Sequence, residues 1–322
     1  GQSLITTRGI SAGTVPGFTQ TTVGVYYDDI PLTDPGAPIV VPDIDAFDAD
    51  RVEVLRGPQG ALYGSASLGG AMNYVPSSPN PSNSEFAVIG TGSRVVNSSV
   101  GGSLKMMFNS PLFQDTEMFE DSLALRVVGH VTRQPGYIDN VGLNRPQSNE
   151  TTTGGGRATV SWLPTENSQL RIGALYQRTY VPDQGYVLNT LDDLQKSTLM
   201  LEPTFNQFWL SSLHYELDEE YGTWSFNAGY QQKGSYVSYD AASGLGLEAT
   251  GLKIPLIQDG TVEGYSTELR FVSPLDDTFY WLAGITYNNR KEFVHNSLTP
   301  QLTETALGTL EDLLVSIGIP IP

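Results

Sequence analysis

The sequence predicts a mainly β protein, in which a small α/β module ending near residue 80 leads into a long run of antiparallel strands. Three observations predict it. Aromatic residues make up 10% of the chain, 16 of them Tyr and 4 Trp, while only 16% of residues are charged and 34 are Gly. This composition excludes a disordered segment or a coiled coil and suits strands that bear amphipathic aromatics. The run Pro76-Ser77-Ser78-Pro79-Asn80-Pro81-Ser82-Asn83 reads as a linker between two regions of different character. Beyond it, segment after segment alternates apolar and polar residues with a period of two.

Before the linker, Thr22–Asp29, Arg51–Leu55 and Ala71–Val75 read as short strands separated by Gly and Pro. After it, the segment Leu123–Val131 is apolar at odd positions, with Arg126 and His130 among the even ones. Gln169–Gln177 places Gln169, Arg171 and Gln177 on one face. Trp224–Gln231 sets Trp, Phe, Ala and Tyr against Ser, Asn, Gly and Gln, and Tyr265–Phe271 puts Glu268 and Arg270 on its polar side. One face of these strands meets an apolar medium, either a protein core or lipid. The periodicity alone leaves a membrane barrel and a soluble β-sandwich equally open.

Two features favour lipid. Aromatics collect near strand ends (Trp162, Tyr180, Trp209, Tyr215, Tyr221, Trp224, Trp281), as in an interfacial girdle. Compact turns (163–168, 218–222, 273–277) also alternate with long polar loops (135–153, 181–205, 238–262), the pattern of an outer-membrane barrel. About nine strands are expected after residue 84.

The net charge of −18 and the scarcity of clustered Lys and Arg argue against nucleic-acid binding. The chain has no Cys, which excludes disulfides and thiolate metal sites. No apolar run is long enough for a transmembrane helix, which leaves a membrane barrel open. No signal peptide stands at Gly1, so the chain is expected to start at a mature terminus or to be part of a longer protein.

The most specific stretch runs from Arg51 to Val75. It holds Arg56-Gly57-Pro58-Gln59-Gly60, then Leu62-Tyr63-Gly64, then Gly69-Gly70 and a strand through Asn73. Gly57, Pro58 and Gly60 suit a tight turn, and Gly64, Gly69 and Gly70 allow close backbone approach. In order and spacing the stretch resembles the end of the plug domain of TonB-dependent outer-membrane transporters. Thr7-Arg8-Gly9-Ile10 resembles an earlier plug element, Val23–Leu32 the central plug strand, and Tyr265–Pro274 a barrel strand of the same family.

The resemblance implies a mainly β fold: a transmembrane antiparallel β-barrel of 22 strands in the family, only part of it present here, with an N-terminal α/β plug inside the lumen. Residues 1–82 would be the C-terminal part of the plug and 83–322 the N-terminal part of the barrel. The chain is therefore expected to be part of a longer receptor. The implied function is active import of a scarce nutrient, most often an iron–siderophore complex, with cobalamin, oligosaccharide or another metal complex as alternatives. The implied partners are TonB with its inner-membrane ExbB-ExbD motor, outer-membrane lipid and lipopolysaccharide, and the cargo; a monomer is expected. The family's plug arginines lock onto lumen glutamates, which nominates Arg8 and Arg56 with Glu268 as a partner. Outward plug loops nominate Thr14, Phe18, Gln20 and Asp34 for cargo. The acidic balance of the chain weakly disfavours a strongly anionic cargo.

Other motifs fail on their own chemistry. No Lys-Ser/Thr follows Gly70, so there is no P-loop. Asp43–Asp50 lacks the glycine and ligand spacing of an EF-hand and reads as a solvated acidic turn. His130, His214 and His295 are too scattered for a metal site and read as solvated barrel residues, and no nucleophile elbow is present. No cofactor, metal site or enzyme activity is expected. The competing readings are a passive porin and a soluble β-rich adhesin or binding module.

Overall fold

The computed structural model describes residues 22–33, 43–60, 67–96, 99–116, 121–188, 191, 193–245, 251–274, 279–301 and 307–308. Its strands are β1 (Val23–Tyr27), β2 (Ile30–Pro31), β3 (Ala49–Arg56), β4 (Gly70–Pro76), β5 (Glu85–Arg94), β6 (Val100–Pro111), β7 (Leu123–Gln134), β8 (Asp139–Asn140), β9 (Thr151–Thr165), β10 (Ser168–Val181), β11 (Gln195–Lys196), β12 (Thr204–Glu219), β13 (Gly222–Asp240), β14 (Pro255–Val272) and β15 (Leu282–Leu298).

Two main sheets result. The smaller has the order β2-β1-β4-β3, and the larger the order β15-β14-β13-β12-β10-β9-β7-β6-β5. Every pairing in the larger sheet is antiparallel, and β5 and β15 are its open edges. It is thus an unclosed portion of a barrel wall, and its nine strands match the number expected from alternation.

The period of two separates the faces of this wall. Phe86, Met106, Phe108, Val127, Ile172, Tyr176, Trp209, Tyr230, Leu269 and Ile285 are exposed on one side. Met107, Val128, Leu175, Gln177, Phe208, Leu210 and Gln231 are buried on the other. The exposed side carries a broad apolar band, as a lipid-facing wall must, which gives way to Gln232, Glu263 and Lys291 in the row of Tyr176. The buried side carries the small sheet. Val25, Tyr27, Ile30, Leu32 and Ile44 of the small domain form one core with Leu175, Phe208 and Leu210 of the wall. A Cβ at Gly229 of the wall would lie 2.7 Å from Ile30 Cγ2, so glycine lets β2 seat against β13.

The turn end of the wall is banded by aromatics, as the girdle reading expected. The Phe271 ring lies 4.8 Å from that of Trp224 and 5.0 Å from that of Trp281, with Tyr221 at 6.2 Å.

Two expectations need correction, and a third gains detail. The loop expected at 238–262 is shorter than expected: β13 runs to Asp240 and β14 starts at Pro255, with a helical turn, Ala241–Gly244, after β13. The strands outlast the apolar alternation because polar ladders continue above the lipid zone, where no hydrophobic pattern is needed. The linker expected at 76–83 does join the two sheets, and it is pinned to the wall. Buried Asn109 accepts from the Asn80 N–H and donates to the carbonyls of Asn80 and Asn83. The acidic run 43–50 is not simply solvated, because Asp45 and Asp48 dock against the wall.

Candidate functional site: the seam between plug and wall

Two turns of the small domain present carboxylates to the wall. Tyr27 pairs with Ile30, so Asp28 and Asp29 form a two-residue hairpin loop. Both have positive φ (49° and 64°), as the twist of such a loop requires and as Asp tolerates better than most residues. Buried Asn73 on β4 donates to Asp29 Oδ1 at 2.8 Å and holds the turn. In the second turn, Asp45 Oδ1 accepts from the Phe47 N–H at 2.8 Å, and Asp48 takes φ 59°.

Each carboxylate meets a base from the wall. Arg171 on β10 bonds Asp28 at 3.0 Å, and Arg270 on β14 reaches Asp29 at 3.4 Å. Lys105 on β6 bonds Asp45 at 2.6 Å. Asp48 bridges two strands: Arg126 on β7 grips it through Nε and Nη2 at 2.9 and 2.6 Å, and Arg157 on β9 bonds it at 2.6 Å. Arg157 also donates to the backbone carbonyls of Phe47 and Asp48. Arg126, Arg157 and Asp48 are all nearly closed to solvent.

The remaining grips reach backbone. Lys233 donates to the Leu32 carbonyl, Arg290 to those of Thr33 and Pro31, Gln231 to that of Pro31 and Gln177 to that of Asp43. At this seam the wall donates and the small domain accepts, except that the Asp45 N–H donates to Gln177 Oε1 at 3.4 Å. Charge-assisted bonds of this kind are strong and directional, yet a pull can break them one at a time.

Burial pushes the Tyr27 phenol up to about 12, so it stays neutral in the core. Burial also raises the Asp45 carboxyl, but the Lys105 bond and the Phe47 N–H outweigh it and hold the group below its usual range.

A second polar cluster sits among the loops. Lys196, fully buried on β11, bonds Asp183 at 2.6 Å and Glu202 at 2.9 Å, and β11 pairs in parallel with β8 from the neighbouring loop. Asp240 accepts from the Leu199 N–H, and Glu202 accepts from the Asp240 N–H, which ties in the end of β13. Burial and then Glu202 raise the Tyr186 phenol beside this cluster.

Of the residues singled out from sequence, Arg8, Thr14, Phe18, Gln20, Asp34, Tyr63 and Gly64 lie outside the described residues. Glu268 faces the lumen and, among the described residues, pairs with Arg270 at 2.7 Å. Arg56 ends β3 in register with Gly70, exposed and on the sheet edge away from β1. Gly57 has φ +89° and donates to the Gly69 carbonyl, while Gly69 donates to Thr22, so the Arg-Gly-Pro turn is tied to β1. Pro58 follows Gly57 in that turn, and Gly70 opens β4 with φ 152°. Gly60 has open space where a Cβ would stand, so nothing steric explains glycine there.

The histidines diverge. His130 is half-buried on the lumen face, His214 lies 3.7 Å from Glu216, and His295 is exposed. Sequence reasoning missed Asp28, Asp29, Asp45, Asp48, Lys105 and Arg157 as a set. The available signal was the pair of Asp-rich turns facing strands whose lumen positions carry bases.

Residues 1–71 match the family model described as TonB-dependent Receptor Plug Domain. Residues 1–71 are thus a TonB-dependent receptor plug domain, and the wall after them has the fold of part of such a receptor's barrel. The vitamin B12 transporter BtuB of Vibrio vulnificus is 32% identical over 123 residues, 35% of this chain and 20% of that protein. The pesticin receptor of Yersinia enterocolitica is 28% identical over 159 residues, 49% of this chain and 20% of the receptor. In the crystal structure of the ferric yersiniabactin uptake receptor FyuA from Yersinia pestis, 43% of the chain superposes on 89% of this one, with a TM-score of 0.70 and 16% identity. The ferric citrate transporter FecA gives the same TM-score at 15% identity, with 91% of this chain and 42% of that one covered. Matched segments thus span about a fifth of the curated relatives and under half of the solved chains. The plug-domain match and the fold place the protein in the outer membrane.

Proposed function

We propose that this chain is the plug and first barrel portion of an importer that takes up a scarce nutrient, most often an iron–siderophore complex, when TonB displaces the plug. Residues 1–82 would be plug and 83–322 wall. The observation that carries the reading is the seam itself. A small sheet packs on the lumen face of a lipid-facing wall through a modest apolar core and a set of separately breakable ion pairs. A passive pore would have no use for such a stopper, and a permanent stopper would be better sealed by apolar packing alone. The iron cargo is supported by relatives named for ferric yersiniabactin and ferric citrate, and cobalamin is the alternative named by BtuB.

In this reading Arg8 and Arg56 serve as plug-side locks and Thr14, Phe18, Gln20 and Asp34 contact cargo from the outward loops. TonB, energised by its ExbB-ExbD motor, pulls from the periplasm, and the protein works as a monomer in lipid and lipopolysaccharide. The test is growth on one ferric complex or cobalamin at a time, with the full gene intact or deleted and with TonB present or absent. Growth on one source should need both the gene and TonB. Growth that needs the gene but not TonB would indicate a porin and overturn the proposal.

A further inference from the structure

The bases that hold the plug are arranged in a regular way. Strand pairing places Arg270 in the row of Gln169, through Ser225 and Glu216. Arg171 stands two residues on, and Arg126 falls in the row of Gly173. Arg157 and Arg290 share the row of Leu175, and Lys105 and Lys233 share that of Gln177. Five successive lumen-facing rows therefore each carry at least one cation, stepped by about 7 Å along the strands. All seven of these cations are bonded to the plug.

The wall carboxylates in the same rows are Glu216, Glu268, Glu85 and Glu292, fewer than the cations they accompany. The two upper rows hold four cations against Glu292 alone. The acids that balance the ladder belong instead to the plug: Asp28, Asp29, Asp45 and Asp48. Five lumen rows of net positive sign are thus hidden in a chain of net charge −18, because overall charge carries no information on its distribution.

We propose that displacing the plug uncovers this ladder and that it conducts an anionic cargo, a complex rich in carboxylate or other oxyanion groups, along the wall. The proposal rests on the removable-plug reading and adds the charge class of the cargo. Guanidinium groups stepped along a lumen bind carboxylates by bidentate bonds, and several weak sites in series allow passage without trapping. The plug's own carboxylates then act as placeholders that keep the rungs paired until cargo arrives.

The test uses the full-length receptor in a planar bilayer. Urea should unfold the plug, held in a watery lumen, before the lipid-embedded ladders of the wall. Citrate added to one side is the anionic probe and sucrose the neutral one. In the wild type, citrate should block the open current at concentrations where sucrose does not. A receptor carrying R157Q, R171Q, R270Q and R290Q should need at least about tenfold more citrate, one decade in affinity. The plug-side variant D28N with D48N breaks ion pairs of the same seam but should match the wild type once the plug is out. Citrate acting no better than sucrose, or equal shifts in the wall and plug variants, would overturn the anionic pathway while leaving the importer reading intact. A receptor that stays closed in urea would overturn both.

Discussion

Replacing Asp48 by Asn isolates the strongest grip on the plug. Asn tolerates the positive φ of 59° and keeps the size of the side chain, so the change removes charge with little added strain. Arg126 and Arg157 then lose their shared counter-ion, although Glu85 still reaches Arg126 at 3.0 Å. Removing one partner of a buried pair costs about 3–5 kcal/mol. With one amide oxygen still accepting and Glu85 still in place, the lower bound of about 3 kcal/mol applies, or about a hundredfold in an opening equilibrium. Hydrogen exchange of the β3 and β4 amides, measured on the full-length receptor in micelles, reports that equilibrium. Exchange there should quicken by about two decades while the wall ladders stay protected. An acceleration of less than about threefold would show that the two-arginine bridge does not hold the plug, and the argument for a charge-based latch would fail.

Other perturbations follow from the same geometry. Phe208→Ala empties the core shared by plug and wall and should cost about 3–5 kcal/mol, read as faster exchange in β1, whereas Phe86→Ala on the lipid face should leave the plug unchanged. The depressed Asp45 carboxyl contributes docking stability above its unfolded value of about 3.9 and loses it as pH falls through the lower folded value. Plug exchange should therefore rise as the pH drops below about 4, and Asp45→Asn should remove that component of the pH dependence. Lys196→Ala strands buried Asp183 and Glu202 and should cost about 3–5 kcal/mol locally, seen as new protease cuts within 182–203 with the plug still docked.

The sequence by itself determined the architecture. A period of two specifies which residues share a face and which face meets an apolar medium, since only alternation can satisfy two media at once. The ordered turn from Gly57 to Gly70 announced the plug because positive φ and close backbone approach demand glycine wherever the chain is used in this way. What tertiary structure alone decided is who pairs with whom. Asp28 and Arg171 are 143 residues apart and Asp29 and Arg270 are 241 apart, so no local pattern links them. A carboxylate in an acidic turn looks solvated in one dimension, and only the docking of two sheets turns it into the counter-ion of a wall arginine.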